Sequence, residues 1–206
     1  MAILLCGEGS FLNYRKDIVK DYEREEETKM KVQTVVETKR GACTTRKMIL
    51  TGMLACLAFV LNTFVYFPSM APFQHFVDVL AAVLLGPWYA CGAAFLCGVL
   101  RMLLSGRTIQ AVTGAVFGPI IGGLLYRRFH CFWLVWVGEV IGTGLCGALA
   151  SYPLMKYFYG LDLQSPCYYV PFYAPAAVVG GLMGVIALLL LHRSGVLRRM
   201  QQELEG

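Results

Sequence analysis

Three polar groups of residues interrupt otherwise apolar sequence. The first is Gln74-His75-Phe76-Val77-Asp78. On a helix, His75 and Asp78 are three apart and Gln74 and Asp78 four apart, so the three side chains can converge on one face. An amide, an imidazole and a carboxylate so arranged either close a helix end through a structural ion pair or form the polar wall of a small-molecule pocket. Asp78 needs a hydrogen-bond donor, which His75 or Arg101 can supply. Arg101 itself either snorkels outward or pairs with Asp78 or a ligand. The third group is Glu139, set in Gly138-Glu139-Val140-Ile141-Gly142-Thr143-Gly144. A lone carboxylate in apolar sequence is protonated or hydrogen-bonded. Its glycines and Thr143 leave room for a small molecule, and a structural bond to another helix is the rival reading.

The same residues exclude much chemistry. No GxSxG, HExxH or P-loop is present, and Ser151 and Ser165 have no placed base. Nothing points to catalysis, and the chain carries no Walker motif with which to hydrolyse ATP. The eight cysteines form no CxxC pair and no His/Cys metal spacing. Cys56, Cys91, Cys97 and Cys146 fall in apolar segments, where cysteine packs as a small hydrophobe. No metal site and no cofactor is expected. The net charge of +5 comes without an aromatic-interleaved basic stripe, so nucleic acid is not an expected partner.

The elements that position these groups follow from charge distribution. Between Met48 and Leu191 the only charged residues are Asp78, Arg101, Arg107, Arg127, Arg128, Glu139, Lys156 and Asp162. The whole chain has 18 Lys and Arg and 13 Asp and Glu, and is 57% hydrophobic. So long an apolar stretch requires lipid as its solvent. A spanning helix needs about 20 residues. Six segments are predicted: about 47–66, 72–86, 88–104, 109–126, 131–152 and 172–191. The second is short, and only Gly86-Pro87 separates it from the third. Pro153 is read as the end of the fifth. The fold class is therefore all-α, an integral membrane bundle of six transmembrane helices.

Orientation follows the basic residues beside the segment ends. With the N-terminus inside, the cytoplasmic face gains Lys39, Arg40, Arg46, Lys47, Arg127, Arg128, Arg193, Arg198 and Arg199. The outer face gains Arg107 and Lys156, with Arg101 near it. Both termini are expected in the cytoplasm of a multi-pass plasma-membrane protein. Residues 1–46 are read as a charged cytoplasmic extension expected to be mobile, 47–192 as the membrane domain and 193–206 as a short basic and polar tail. The loop 153–171 and its flank carry Tyr157, Tyr159, Tyr168, Tyr169 and Tyr173, read as an interfacial aromatic belt. Gly118/Gly122, Gly138/Gly142 and Gly180/Gly184 are each four apart and predict close helix packing. Segment one carries its own small stripe, Thr51/Ala55 and Gly52/Cys56, which packs internally or faces a partner subunit.

The run QHFVDVLAAVLLGPWYA (74–90), Arg101 with Leu103-Leu104, Gly118 to Tyr126, the Gly138–Gly144 run and Tyr152-Pro153 together carry a family resemblance. They resemble the thiazole-specific substrate-binding (S) component of energy-coupling-factor (ECF) transporters, the ThiW family. The resemblance covers about 47–160 well and the last helix more loosely; 1–46 lies outside it. It implies a six-helix subunit of an ECF-type ABC importer that captures the hydroxyethyl-thiazole precursor of thiamine outside. It also implies association with a transmembrane coupling subunit and two ATPase subunits, and toppling in the bilayer to deliver the ligand inward. Thr51, Gly52, Ala55 and Cys56 match the helix-one stripe such proteins offer to the coupling subunit.

The residues agree with such a ligand. A hydroxyethyl-thiazole is small, planar and neutral, and wants an apolar, aromatic pocket with few polar anchors. Gln74, His75, Asp78, Arg101 and Glu139 are the candidate anchors. Phe73 and Tyr152 are candidate aromatic surfaces, with Tyr152 assigned to the site and Trp88 read as structural at the inner face. The alternatives are an S-component for thiamine or another small vitamin, and a membrane scaffold or enzyme.

Overall fold

The computed structural model describes residues 43–64 and 71–205. The expected charged extension over 1–46 lies almost wholly outside the described residues, as does most of the loop after the first segment. The described residues form seven helices and no strand. These are α1 (Cys43–Phe64), α2 (Pro72–Leu84), α3 (Pro87–Leu104), α4 (Gln110–Phe129), α5 (Phe132–Phe158), α6 (Val170–Arg193) and α7 (Val196–Glu205). The described part of the protein is thus all-α. Four helices, α1, α3, α5 and α6, are long and apolar enough to cross a membrane. At 20 residues α4 has the length, but four glycines, Thr113 and the Arg127-Arg128 pair dilute it.

α2 is only 13 residues long, and ten of them are buried. α3, α4, α5 and α6 all pack on it. A helix enclosed on all sides needs no bilayer-length apolar surface of its own. It ends in a tight turn where Gly86 takes a φ of 84°, a left-handed conformation open to glycine. Pro87 then starts α3, a position where its missing N–H is no loss.

α4 and α5 cross where their glycine pairs meet. A Cβ on Gly138 would lie 2.7 Å from the Gly122 Cα, and one on Gly142 would lie 2.7 Å from the Gly118 Cα. On α6, Gly180 lies against the Pro72 carbonyl and Gly184 against Val79. Small residues thus draw α4 to α5 and α6 to α2.

α5 runs on through Pro153 to Phe158, six residues beyond its expected end. Proline removes one i→i−4 bond and crowds a carbonyl. In a long apolar helix that loss is local, and the neighbouring turns carry the helix past it. Residues Gly142–Gly147 widen into a π-helical turn. α7 occupies most of the expected polar tail. Its Leu197 and Leu204 are buried in the core, and the Gln201 amide donates to the Val83 carbonyl at 3.3 Å.

Candidate functional site

Gln74, His75 and Asp78 leave the first turns of α2, but they do not share one set of partners. Gln74 turns to α3. Its Oε1 accepts from the Cys97 thiol at 3.1 Å and from Arg101 Nη1 at 3.3 Å, while its Nε2 donates to the Ala94 carbonyl at 3.5 Å. Arg101 is therefore tied to Gln74. His75 turns to α5, where its Nδ1 lies 2.9 Å from Glu139 Oε1 and 4.0 Å from Asp78 Oδ2. Glu139 also accepts from the Thr143 hydroxyl at 3.1 Å. Glu139 has no exposed surface, and Gln74 and Asp78 are each 1% exposed.

Local packing explains this burial. Gly118 lies so near the Glu139 carboxyl and the Thr143 hydroxyl that a methyl there would collide with both. Gly180 leaves space beside the His75 Cβ. The π-helical turn carries Thr143, one turn after Glu139; such widened turns often occur where a helix serves a function.

A cavity of about 450 Å³ opens beside this cluster. Gln74, His75, Arg101 and Thr143 are on its wall. Asp78 and Glu139 stand behind that wall and Tyr152 lies apart from it; none of the three is among the lining residues. The Tyr152 hydroxyl instead accepts from Lys156 Nζ at 3.2 Å. Phe73 is not on the wall, and Trp88 is 70% exposed.

The aromatic lining comes from elsewhere: Tyr168, Tyr169, Phe172 and Tyr173. Tyr169 and Tyr173 stack with centroids 6.1 Å apart. The Tyr173 ring lies over Gly114, where a Cβ would sit 3.0 Å from it. Its hydroxyl is 3.2 Å from Ser151 Oγ, which is 2.8 Å from Thr113 Oγ1. Three helices are thereby joined through hydroxyl groups. Gln110 also lines the cavity; its Oε1 accepts from the Thr108 hydroxyl, and its buried Nε2 faces Tyr169 without a well-formed hydrogen bond. The sequence reads the three tyrosines as a belt and singles out neither Phe172 nor Gln110. The available signal was the i, i+4 spacing of Tyr169 and Tyr173 around Phe172.

The stripe on α1 divides between two faces. Ala55 is fully buried, and the Thr51 methyl faces Gly92 of α3. Gly52 is half-buried with open space beside its Cα, and Cys56 is exposed. They share the outward face with Met48, Met53 and Val60, all exposed.

The family model described as thiamine-precursor transporter protein (ThiW) matches residues 48–194. The chain belongs to the ThiW family. No curated protein and no solved structure matches it. As a ThiW-family member the chain is a transport protein and not an enzyme, and its apolar helices make it a multi-pass protein of the plasma membrane. The matched range contains α2 to α6 and with them every cavity-lining residue.

Proposed function

We propose that this chain is the substrate-binding subunit of an ECF-type importer and that the cavity takes the hydroxyethyl-thiazole precursor of thiamine. One observation carries the reading. A cavity sized for a small molecule combines stacked tyrosines with a few polar groups, among them the buried Gln110 Nε2. Such a site suits a flat neutral ring bearing one hydroxyl arm. Tyr169, Phe172 and Tyr173 supply ring surfaces. Gln110 Nε2 and Arg101 are donors for the hydroxyl or ring nitrogen, and His75 and Thr143 can do the same from the other wall. Glu139 acts from behind, by holding His75 and Thr143, and Asp78 stands 4.0 Å from His75.

The wider reading is a bundle of six spans, α1 to α6, with both termini in the cytoplasm. Two features support it. Arg46 Nη1 donates to the Glu203 carbonyl at 2.8 Å, so the start of α1 and the end of α7 lie on one side. Lys47, Arg127 and Arg198 gather around one concavity, as cytoplasmic basic residues would. The outward face of α1, at Gly52 and Cys56, is the surface we assign to the coupling subunit, which would work with two ATPases.

Calorimetric titration of the purified protein in detergent tests the substrate. Saturable binding of hydroxyethyl-thiazole, weaker for intact thiamine and weakened by Gln110→Ala, is expected. Preference for thiamine would overturn the thiazole assignment, and folded protein that binds neither would overturn the reading as a whole.

A further inference from the structure

We propose that His75, Asp78 and Glu139 form a binding site for one divalent transition-metal cation at the foot of the cavity. Each residue offers one ligand atom, and these atoms lie within 4.8 Å of one another. Two helices supply them, His75 and Asp78 from α2 and Glu139 from α5. All three side chains are more than nine-tenths buried.

The second observation is the state of the oxygens. Asp78 Oδ2 and Glu139 Oε2 are buried and have no hydrogen-bond partner. Asp78 Oδ2 nevertheless lies only 4.0 Å from the His75 Nδ1 that already contacts Glu139. A buried carboxylate oxygen left bare costs free energy that a positively charged partner recovers. Arg101, whose Nη1 donates to Gln74, makes no hydrogen bond to either bare oxygen. A divalent ion balances two carboxylates against a neutral imidazole and leaves the cluster without net charge. Neutrality of that kind lowers the cost of burying the cluster inside a bundle packed in lipid.

The donor set indicates the class of ion. One imidazole nitrogen and two carboxylate oxygens suit Zn²⁺, Mn²⁺, Fe²⁺ or Co²⁺, whereas soft copper(I) wants sulfur. Bonds of about 2.0–2.2 Å require ligand atoms roughly 3.3 Å apart on a tetrahedron. The 2.9 Å and 4.0 Å separations bracket that spacing. The Thr143 hydroxyl on Glu139 would orient that ligand, in the manner of outer hydrogen bonds at metal sites. His75 and Thr143 also face the cavity, so a fourth coordination position would open toward whatever occupies it. The site stands whether or not the cavity takes a thiazole.

The test is Co²⁺ titration of chelator-stripped full-length protein in detergent, read by visible absorption and by metal analysis after gel filtration. We expect one equivalent per chain. The spectrum should carry d–d bands without the intense near-ultraviolet charge transfer of cobalt–thiolate bonds, which separates this site from the cysteines. Asp78→Asn and Glu139→Gln keep side-chain shape and should each weaken binding at least tenfold. Zn²⁺ should raise the melting temperature of the wild type and leave that of the double variant unchanged. Folded wild type that takes up no stoichiometric metal would overturn the proposal and show that protons neutralise the carboxylates. Binding undiminished in both variants, or a thiolate spectrum, would overturn it equally.

Discussion

At the scale of single residues, the polar site is built from side chains that each answer to a different helix. Sequence spacing placed Gln74, His75 and Asp78 on one turn, and the turn is there. Spacing alone could not say that Gln74 would engage α3 while His75 engaged α5, because adjacent helical positions point about 100° apart and their partners depend on tertiary packing. Glu139 was legible as an anomaly, a carboxylate among glycines, but its partner was not. Gln110 was invisible: an ordinary amide near a loop becomes notable only when the fold buries its Nε2 at a cavity wall. Two predictions belong at this scale. Gln74→Leu strips Arg101 of its acceptor, and should cost about 1–3 kcal/mol of stability, the usual penalty for a stranded polar group. A fall in melting temperature checks this, and an unchanged one would mean that water serves Arg101 equally well. Tyr173→Phe keeps the ring on Gly114 and removes its link to Ser151. It should cost about 1 kcal/mol, with thiazole affinity reduced far less than in Tyr173→Ala, as isothermal titration of the two variants would reveal.

At the scale of elements, glycine pairs decide how deep the charged residues sit. Gly118 and Gly122 on α4 meet Gly138 and Gly142 on α5, and this contact presses Glu139 into the bundle. The pairs were readable as packing signals, as was the Gly86-Pro87 break between α2 and α3. The full length of α5 was not. Pro153 is a fair stop signal in water, where a freed carbonyl is readily solvated. In a bundle with no water to take it up, continuing the helix is the cheaper course. The π-helical turn at Gly142–Gly147 leaves no mark in composition, since glycine-rich helix reads the same either way. The aromatic residues after 167 misled for a related reason: tyrosines near a membrane surface serve as a belt or a pocket, and only the reach of the Tyr173 ring to Gly114 of α4 separates the two. Gly118→Val should therefore be severe. Its side chain would collide with the Glu139 carboxyl and Thr143. Overpacking of this kind costs about 1–3 kcal/mol or more, so detergent-solubilised Gly118→Val should lose much of its folded yield. Melting near that of wild type would show that α4 and α5 can separate without penalty.

At the scale of the whole molecule, the described residues divide into a cavity with polar and aromatic lining, built by α2, α3, α4, α5 and α6, and a largely apolar exterior. All-helical, membrane-embedded architecture was legible because so few charges interrupt 48–191, and that shortage is a property of the solvent rather than of any one contact. Which outward surface meets lipid and which meets protein is not written in hydropathy, because both are apolar. α1 is the informative case. It is the least enclosed of the four long apolar helices, with Met48, Met53, Leu57 and Phe64 all exposed. Its small stripe splits, so Ala55 belongs to the core while Gly52 and Cys56 remain on the open side. A residue needed only for folding and a residue needed for docking then respond differently to bulk. Ala55→Leu would overfill the core and should lower the melting temperature. Gly52→Leu meets open space, and should leave the melting temperature within a few degrees of wild type. If the face at Gly52 docks a coupling subunit, the same variant should keep thiazole binding in detergent yet lose most uptake in cells carrying the complete importer. Uptake equal to wild type would assign α1 to lipid and move the docking surface elsewhere.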